Sequence, residues 1–194
     1  MTTTWIIVGV IAVVAIYAVA TYNAFVKLTQ RAIEAWADID VQLKRRYDLI
    51  PNLIETVKGY AAHERETFDA VVAARAAATQ INVDASNISA EQIAMVAGAE
   101  DALGGALGKL MAIAEAYPDL KANQNFSELQ TELSDTENKI QAARRFYNTN
   151  VRDLAIKLQS FPSNVIGNMF GFKEREYFEL AEGSEEREVV KVDF

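Results

Sequence analysis

Few residues in this chain could do chemistry, and their spacing limits what they can be. The single imidazole, His63, lies in Ala62-His63-Glu64-Arg65-Glu66 and has no second histidine four residues on, which a zinc-protease helix needs to place two ligands on one face. Nor does it complete the Glu-x-x-His of a di-iron bundle, because Tyr60 occupies the glutamate position. With no cysteine, thiol catalysis, disulfides and thiolate metal sites are excluded. Gly104-Gly105-Ala106-Leu107-Gly108 lacks the following Lys-Ser/Thr of a phosphate-cradling loop, and no Ser-His-Asp arrangement is visible. His63 therefore reads as a solvated or hydrogen-bonded side chain. The expectation is a non-enzymatic protein with no catalytic, cofactor-binding or metal-ligating residue and no cofactor.

Charge narrows the partners. A net charge of −8 argues against nucleic acid, whose phosphates demand a basic surface. The basic run Lys44-Arg45-Arg46 could meet anionic lipid headgroups, but it lies well past the expected membrane exit. Pairing inside the fold with acids such as Glu137 or Asp153 is the preferred reading.

The elements that must position these groups begin with an uncharged leader. The first 26 residues carry no charged side chain, and Trp5 to Ala20 is almost unbroken in its apolar character. A helix of about 20 residues crosses the hydrocarbon, so residues 1–26 are expected to form a transmembrane anchor. Trp5, Ile6, Ile7, Val8, Ile11, Val13, Val14, Ile16, Tyr17 and Tyr22 are its contact residues, with the amphipathic rings of Trp5 and Tyr22 near the two interfaces. A cleaved signal ending at Ala18-Val19-Ala20 is the alternative, but Met1-Thr2-Thr3-Thr4 lacks the basic residue such a signal carries. Lys27, Arg31, Lys44, Arg45 and Arg46 all follow the span and none precedes it, which predicts an outside N-terminus and a cytoplasmic body. In a cytoplasmic body the sequons Asn87-Ile88-Ser89 and Asn125-Phe126-Ser127 are chance matches.

Helical periodicity dominates the body. A heptad seam runs through Phe126, Leu129, Leu133, Thr136, Ile140, Ala143, Tyr147, Val151, Leu154 and Leu158, with Asn125 as its expected cap and Pro162 beyond its end. A second stripe through Ile93, Val96, Leu103, Leu107, Leu110 and Tyr117 is opened by Ser89 with Gln92 at capping-box spacing. Its glycines, Gly98, Gly104, Gly105 and Gly108, each cost a helix about 1 kcal/mol, which points to close approach by a neighbour. A third seam passes Trp36, Leu43, Ile50, Val57 and Val71 in one phase, so Pro51 is read as kinking one long element. Ile81 to Ile88 is a turn-rich loop. The fold class is all-α: an N-terminal transmembrane helix continuing into an elongated antiparallel up-and-down helical bundle. The expected divisions are the anchor at 1–26, the bundle at 27–180 and an acidic C-terminal tail at 181–194.

Several stretches are more specific than a generic helix. Ala35 to Leu53, Glu55 to Glu64, Ala114 to Asn123, Thr136 to Asn148 and Phe161 to Asn164, with Tyr22-Asn23 and Val192-Asp193-Phe194, closely resemble the LemA family of bacterial membrane-anchored helical proteins. The resemblance implies one N-terminal span, a helical bundle on the inner side, and residence in the bacterial inner membrane. It transfers no catalytic residue. Members of the family have been linked to envelope stress, to membrane metalloproteases and, in a magnetosome-associated branch, to shaping of the inner membrane. Within these stretches Trp36, Asp40, Arg45, Arg46, Asp48, Pro51, Asn52, Glu115, Tyr117, Pro118, Asn123, Arg144, Arg145, Tyr147 and Asn148 form a structural or interface set. Trp36, Phe146 and Tyr147 are expected in the core.

Two functions compete. The first is a membrane-anchored scaffold that self-associates as a homo-oligomer and organises or shapes the inner membrane, with the lipid bilayer as its other partner. The alternative is an adaptor or regulator of a membrane protease or an envelope-stress component, docking through a strand at Glu185 to Phe194, where Val190, Val192 and Phe194 alternate.

Overall fold

The computed structural model describes residues 1–178, and the regular elements among them are all helices. They are α1 (Thr2–Lys58), α2 (Arg65–Thr79), α3 (Ala90–Glu115), α4 (Pro118–Lys121), α5 (Gln124–Gln159) and α6 (Ser163–Met169). The anchor segment and the first helix of the bundle are one element. At 1.5 Å per residue α1 is about 85 Å long, and it runs through an exposed Pro51 before stopping at Lys58. The seam is therefore shared between two helices, since Gly59–Glu64 separates Val57 on α1 from Val71 on α2.

The main packing partners are α1 with α5 and α2 with α3; the short turn helix α4 links α3 to α5 at one end, and α6 packs on α1 and α5 at the other. Farthest from the N-terminal segment, Ile50, Leu53, Val57, Phe68, Val71, Leu103, Leu110, Leu120 and Phe126 form one core. A central core gathers Trp36, Ile39, Leu43, Ile93, Val96, Ile140, Tyr147, Val151 and Phe178. A small third core of Phe25, Leu154 and Leu158 closes the end nearest the N-terminal segment. The heptad seam of α5 is buried throughout except for half-buried Leu129 and Ala143.

The caps explain the boundaries. Ser89 and Gln92 exchange hydrogen bonds as a capping box: Gln92 N–H donates to Ser89 Oγ at 3.2 Å and Ser89 N–H to Gln92 Oε1 at 3.1 Å. On α5 the cap is Asn123, not Asn125, because its Oδ1 accepts from Phe126 N–H at 3.1 Å. Asn125 falls inside the first turn, where its side chain is exposed.

The α3 glycines overturn the close-approach expectation. A Cβ at Gly98, Gly105 or Gly108 would meet nothing within 4 Å, and one at Gly104 would only touch Arg46 Nη2 at 3.8 Å. The glycine that does mark close approach is Gly167 on α6, whose added Cβ would lie 2.8 Å from Leu158 Cδ2 and 3.1 Å from Phe25 Cζ. Phe146 is a second correction. It is 51% exposed, one step around α5 from the fully buried Tyr147, because the seam has room for only one of two consecutive residues.

Candidate functional site

Two constructions in the bundle could carry function: a buried ionic cluster at its centre, and an aromatic collar where α1 leaves its apolar leader.

The cluster forms because three ionisable residues occupy positions on apolar stripes. Arg46 follows Ile39 and Leu43 on the inward face of α1, Glu100 lies between Val96 and Leu103 on α3, and Arg144 lies between Ile140 and Tyr147 on α5. Arg46 Nη1 lies 3.1 Å from Glu100 Oε2 and 2.9 Å from Glu137 Oε2. The Tyr47 hydroxyl donates to Glu100 Oε1 at 2.5 Å. One cation is thus shared by two carboxylates in a site where Glu100 is only 4% exposed. Burial pushes the Glu100 carboxyl above its usual range despite the Tyr47 hydrogen bond and the Arg46 charge. Burial, reinforced by Glu100, also raises the Tyr47 hydroxyl far above its ordinary value, so it remains a hydrogen-bond donor. Arg144 is buried with its guanidinium 4.6 Å from the centre of the Phe178 ring, and its Nε has no protein partner.

Next to the cluster, the chain after α6 runs back along the bundle and is clamped there. Asn148 brackets Phe178 by donating from Nδ2 to its carbonyl at 2.9 Å and accepting its N–H at Oδ1 at 2.8 Å. The Tyr147 hydroxyl donates to the Glu176 carbonyl at 2.9 Å, and burial pushes its pKa up to about 12. Trp36 meets Tyr147 edge-on at 5.4 Å and Phe178 at 6.0 Å. Arg175 extends the clamp to the 81–88 loop by donating to the Ala85 and Ser86 carbonyls. On the other side of Trp36 a cavity of about 270 Å³ opens, with Leu43, Val83 and Val96 in its walls and Asp40, Lys44, Tyr47 and Asp48 among its polar lining residues.

The structural set expected from sequence thus divides. Arg46 belongs to the ionic cluster, Trp36, Arg144, Tyr147 and Asn148 converge on the clamp beside it, and Asp40 and Asp48 line the adjoining cavity. Arg45 pairs on the surface with Glu132 at 2.7 Å, while Arg145 is exposed. Tyr117, Pro118 and Asn123 build the far turn, where Asn123 also donates to the Tyr60 hydroxyl at 2.9 Å; Glu115 is exposed beside it. Pro51 and Asn52 are exposed on α1 between the two groups. Residues 36 and 57 are about 30 Å apart along α1, so the set is two constructions rather than one site. Arg46 takes Glu137 as expected, but Asp153 pairs with its neighbour Arg152. His63 is exposed, and among the described residues no group of three His, Cys, Asp or Glu side chains is placed to hold a metal ion.

Sequence reasoning passed over Glu100, Tyr47, Phe178 and Arg175. Glu100 left a readable signal, a carboxylate in phase with Val96 and Leu103, as Arg46 is with Leu43 and Ile50. The collar was also missed. Phe25 stacks on Phe172 at 5.0 Å, and Tyr22 meets Phe170 at 4.9 Å and Phe172 at 5.5 Å. Lys157 Nζ sits 5.7 Å from the centre of the Phe25 ring.

The leader differs from everything below the collar. From Trp5 to Ile16 every large apolar side chain is at least half exposed, and the most apolar window of α1 has a mean hydropathy of 2.3 with none of it buried. It is long and apolar enough to cross a membrane.

Residues 35–194 match the model of the LemA family. The chain is 27% identical over 192 residues to magnetosome protein MamQ 2 of Paramagnetospirillum magneticum, a match covering 89% of this chain and 71% of that protein. It is 27% identical over 174 residues to magnetosome protein MamQ of Magnetospirillum gryphiswaldense, covering 81% and 64%. Protein LemA of Metamycoplasma hominis is 27% identical over 139 residues, covering 72% and 60%.

Proposed function

The chain belongs to the LemA family, and from that premise we propose that it is a non-enzymatic membrane-anchored scaffold that self-associates and organises the bacterial inner membrane, with the bundle on the cytoplasmic side. The observation that carries the reading is the unbroken α1, in which an exposed apolar leader passes directly into the helix that organises all three cores. Exposed apolar surface of that extent is costly in water and favourable in a bilayer. Because no linker intervenes, tilt or crowding of the span is transmitted to the rod. The buried Arg46, Glu100 and Glu137 cluster and the Asn148 bracket suit a stiff structural body, since each fixes the register between helices through contacts that fail if the register shifts. The relatives named as magnetosome proteins support a membrane-associated protein.

In this proposal the chain divides into an anchor at 1–26, a bundle at 27–180 and a tail at 181–194. The strand expected at Glu185 to Phe194 falls outside the described residues. Self-association is tested by light scattering after size exclusion of the detergent-solubilised chain over a range of concentrations. A mass that exceeds one chain and rises with concentration is expected, whereas a strict monomer throughout would remove the scaffold.

A further inference from the structure

Helix α6 has its faces reversed for a helix that meets water. Ser163 and Gly167, four residues apart, point inward: the Ser163 Oγ lies 2.7 and 2.8 Å from the Lys157 and Ser160 carbonyls, which share its one proton, and Gly167 abuts Leu158 and Phe25. Val165 and Met169, also four apart, point outward at 54% and 66% exposure. Phe161 just before the helix is 82% exposed and Phe170 just after it is 54% exposed. Beyond the leader, the other large exposed apolar side chains are scattered along the chain from Val41 to Tyr177.

The height of this patch along α1 decides what covers it. Phe170 packs edge-on against Tyr22, and Phe172 against both Tyr22 and Phe25. Counting about 20 residues from Trp5 for the hydrocarbon ends it beside Phe25, so the turn from Tyr22 to Phe25 marks its inner boundary and α6, packed on that turn, lies at the headgroup level beside the span. Lys27 and Arg31 are exposed one to three turns further along α1, Lys157 sits over Phe25, and Lys173 is exposed just after the patch. The nearest acid in sequence, Glu174, accepts a hydrogen bond from Gln159.

We propose that α6 and its flanking phenylalanines form an interfacial foot, seated in the inner leaflet beside the span and covered by lipid. The occupant is the bilayer surface itself, because the patch is continuous through Tyr22 with the segment that enters the membrane and is bordered by cations that anionic headgroups attract. The Pro162-Ser163 turn brings the chain down from α5 onto the membrane, and Gly167 lets α6 press against α1 at that depth. The foot rests on the reading of the leader as a span. It adds that the rod stands on two points, the span and a shallow wedge to one side of it, which fixes its tilt and places extra volume in one leaflet.

The absence of cysteine makes the test direct. Single cysteines at Val165→Cys, Met169→Cys, Ile11→Cys and Asn138→Cys, each labelled with an environment-sensitive nitrobenzoxadiazole, are placed in the full-length chain. The chain is reconstituted in phosphatidylcholine vesicles with a phosphatidylglycerol fraction. Nitroxide lipids quench either near the headgroup or near the acyl terminus. The proposal expects the Val165 and Met169 sites to lose about half their emission to the shallow quencher. The Ile11 site should respond to the deep quencher, and the Asn138 site to neither. If the Ile11 site is quenched while Val165 and Met169 behave like Asn138, the foot is overturned and the anchor stands. If the Ile11 site is not quenched, the anchor reading itself fails and takes the foot with it.

Discussion

Replacing Arg46 by Met tests whether the central cluster holds the bundle's register. The methionine keeps most of the apolar stem but removes the cation shared by Glu100 and Glu137. Breaking a buried ion pair from one side costs about 3–5 kcal/mol. The lower end applies here, because Glu137 is 31% exposed and can reach water. Arg46→Met is thus expected to cost about 3 kcal/mol. Glu100→Leu leaves Arg46 paired with Glu137 but strands the Tyr47 hydroxyl, for about 2 kcal/mol. In the double variant two apolar side chains occupy stripe positions already lined by Leu43, Ile50, Val96 and Leu103, and no buried charge is left alone. Its cost is expected near 2 kcal/mol rather than the sum, a coupling of about 3 kcal/mol. Urea unfolding of the detergent-solubilised chain, followed by helical ellipticity, measures all three variants. An additive double variant, or single variants each costing below about 1 kcal/mol, would refute the argument that this cluster is interdependent.

The remaining predictions concern the collar, the clamp and titration. Gly167→Ala should destabilise by about 1–3 kcal/mol, because its methyl collides with Leu158 and Phe25, whereas Gly105→Ala on α3 should stabilise by about 1 kcal/mol; the same urea assay compares them, and equal effects would contradict the packing described. Asn148→Ala removes both halves of the bracket on Phe178, so amide exchange at Phe178 should accelerate while the core of α5 keeps its protection. Trp36 fluorescence in a Trp5→Phe background should shift to the red in Phe178→Ala, as its ring loses one aromatic neighbour. The raised pKa of Glu100 favours the folded state fully below its unfolded value near 4.5, and that contribution is lost as pH climbs through the folded value. Stability of the native chain relative to Glu100→Gln should therefore fall as pH rises above about 4.5 in matched urea titrations, and a difference that grows instead would reverse the assignment.

The elements were legible because their signals are local. The uncharged stretch before Lys27, the three seams and the Ser89–Gln92 spacing each act within one or two turns, and the structure realises them as α1, α3 and α5, with the third seam divided between α1 and α2. Asn123 was overlooked as a cap because Asn125 has the same side chain two residues on, and only the hydrogen bond to Phe126 distinguishes them. The glycines of α3 misled because a glycine records permission for close approach without requiring a neighbour; Gly167, in a seven-residue helix with no readable seam, meets one. Of the candidate site, Trp36, Arg46, Arg144 and Tyr147 could be picked out from seam positions and motif stretches. Glu100 lies 54 residues from Arg46, Phe178 lies 34 from Arg144 and 142 from Trp36, and in the collar Phe172 lies 147 from Phe25, so only tertiary packing brings them together. The foot was unreadable for the same reason: its depth is set by contact with Tyr22, and the apolar residues of Phe161 to Phe170 alone carry no height.

The account depends on the exposed leader of α1 fastening the bundle to the inner face of a membrane, and site-directed thiol labelling in cells tests this most directly. Thr3→Cys and Asn138→Cys in the otherwise cysteine-free chain are treated with a membrane-impermeant maleimide, before and after lysis. The account predicts that the Thr3 site reacts in intact cells, that the Asn138 site reacts only after lysis, and that both variants stay with the membrane through an alkaline wash. Labelling of the Asn138 site in intact cells, or release of the full-length chain by alkali, would contradict it.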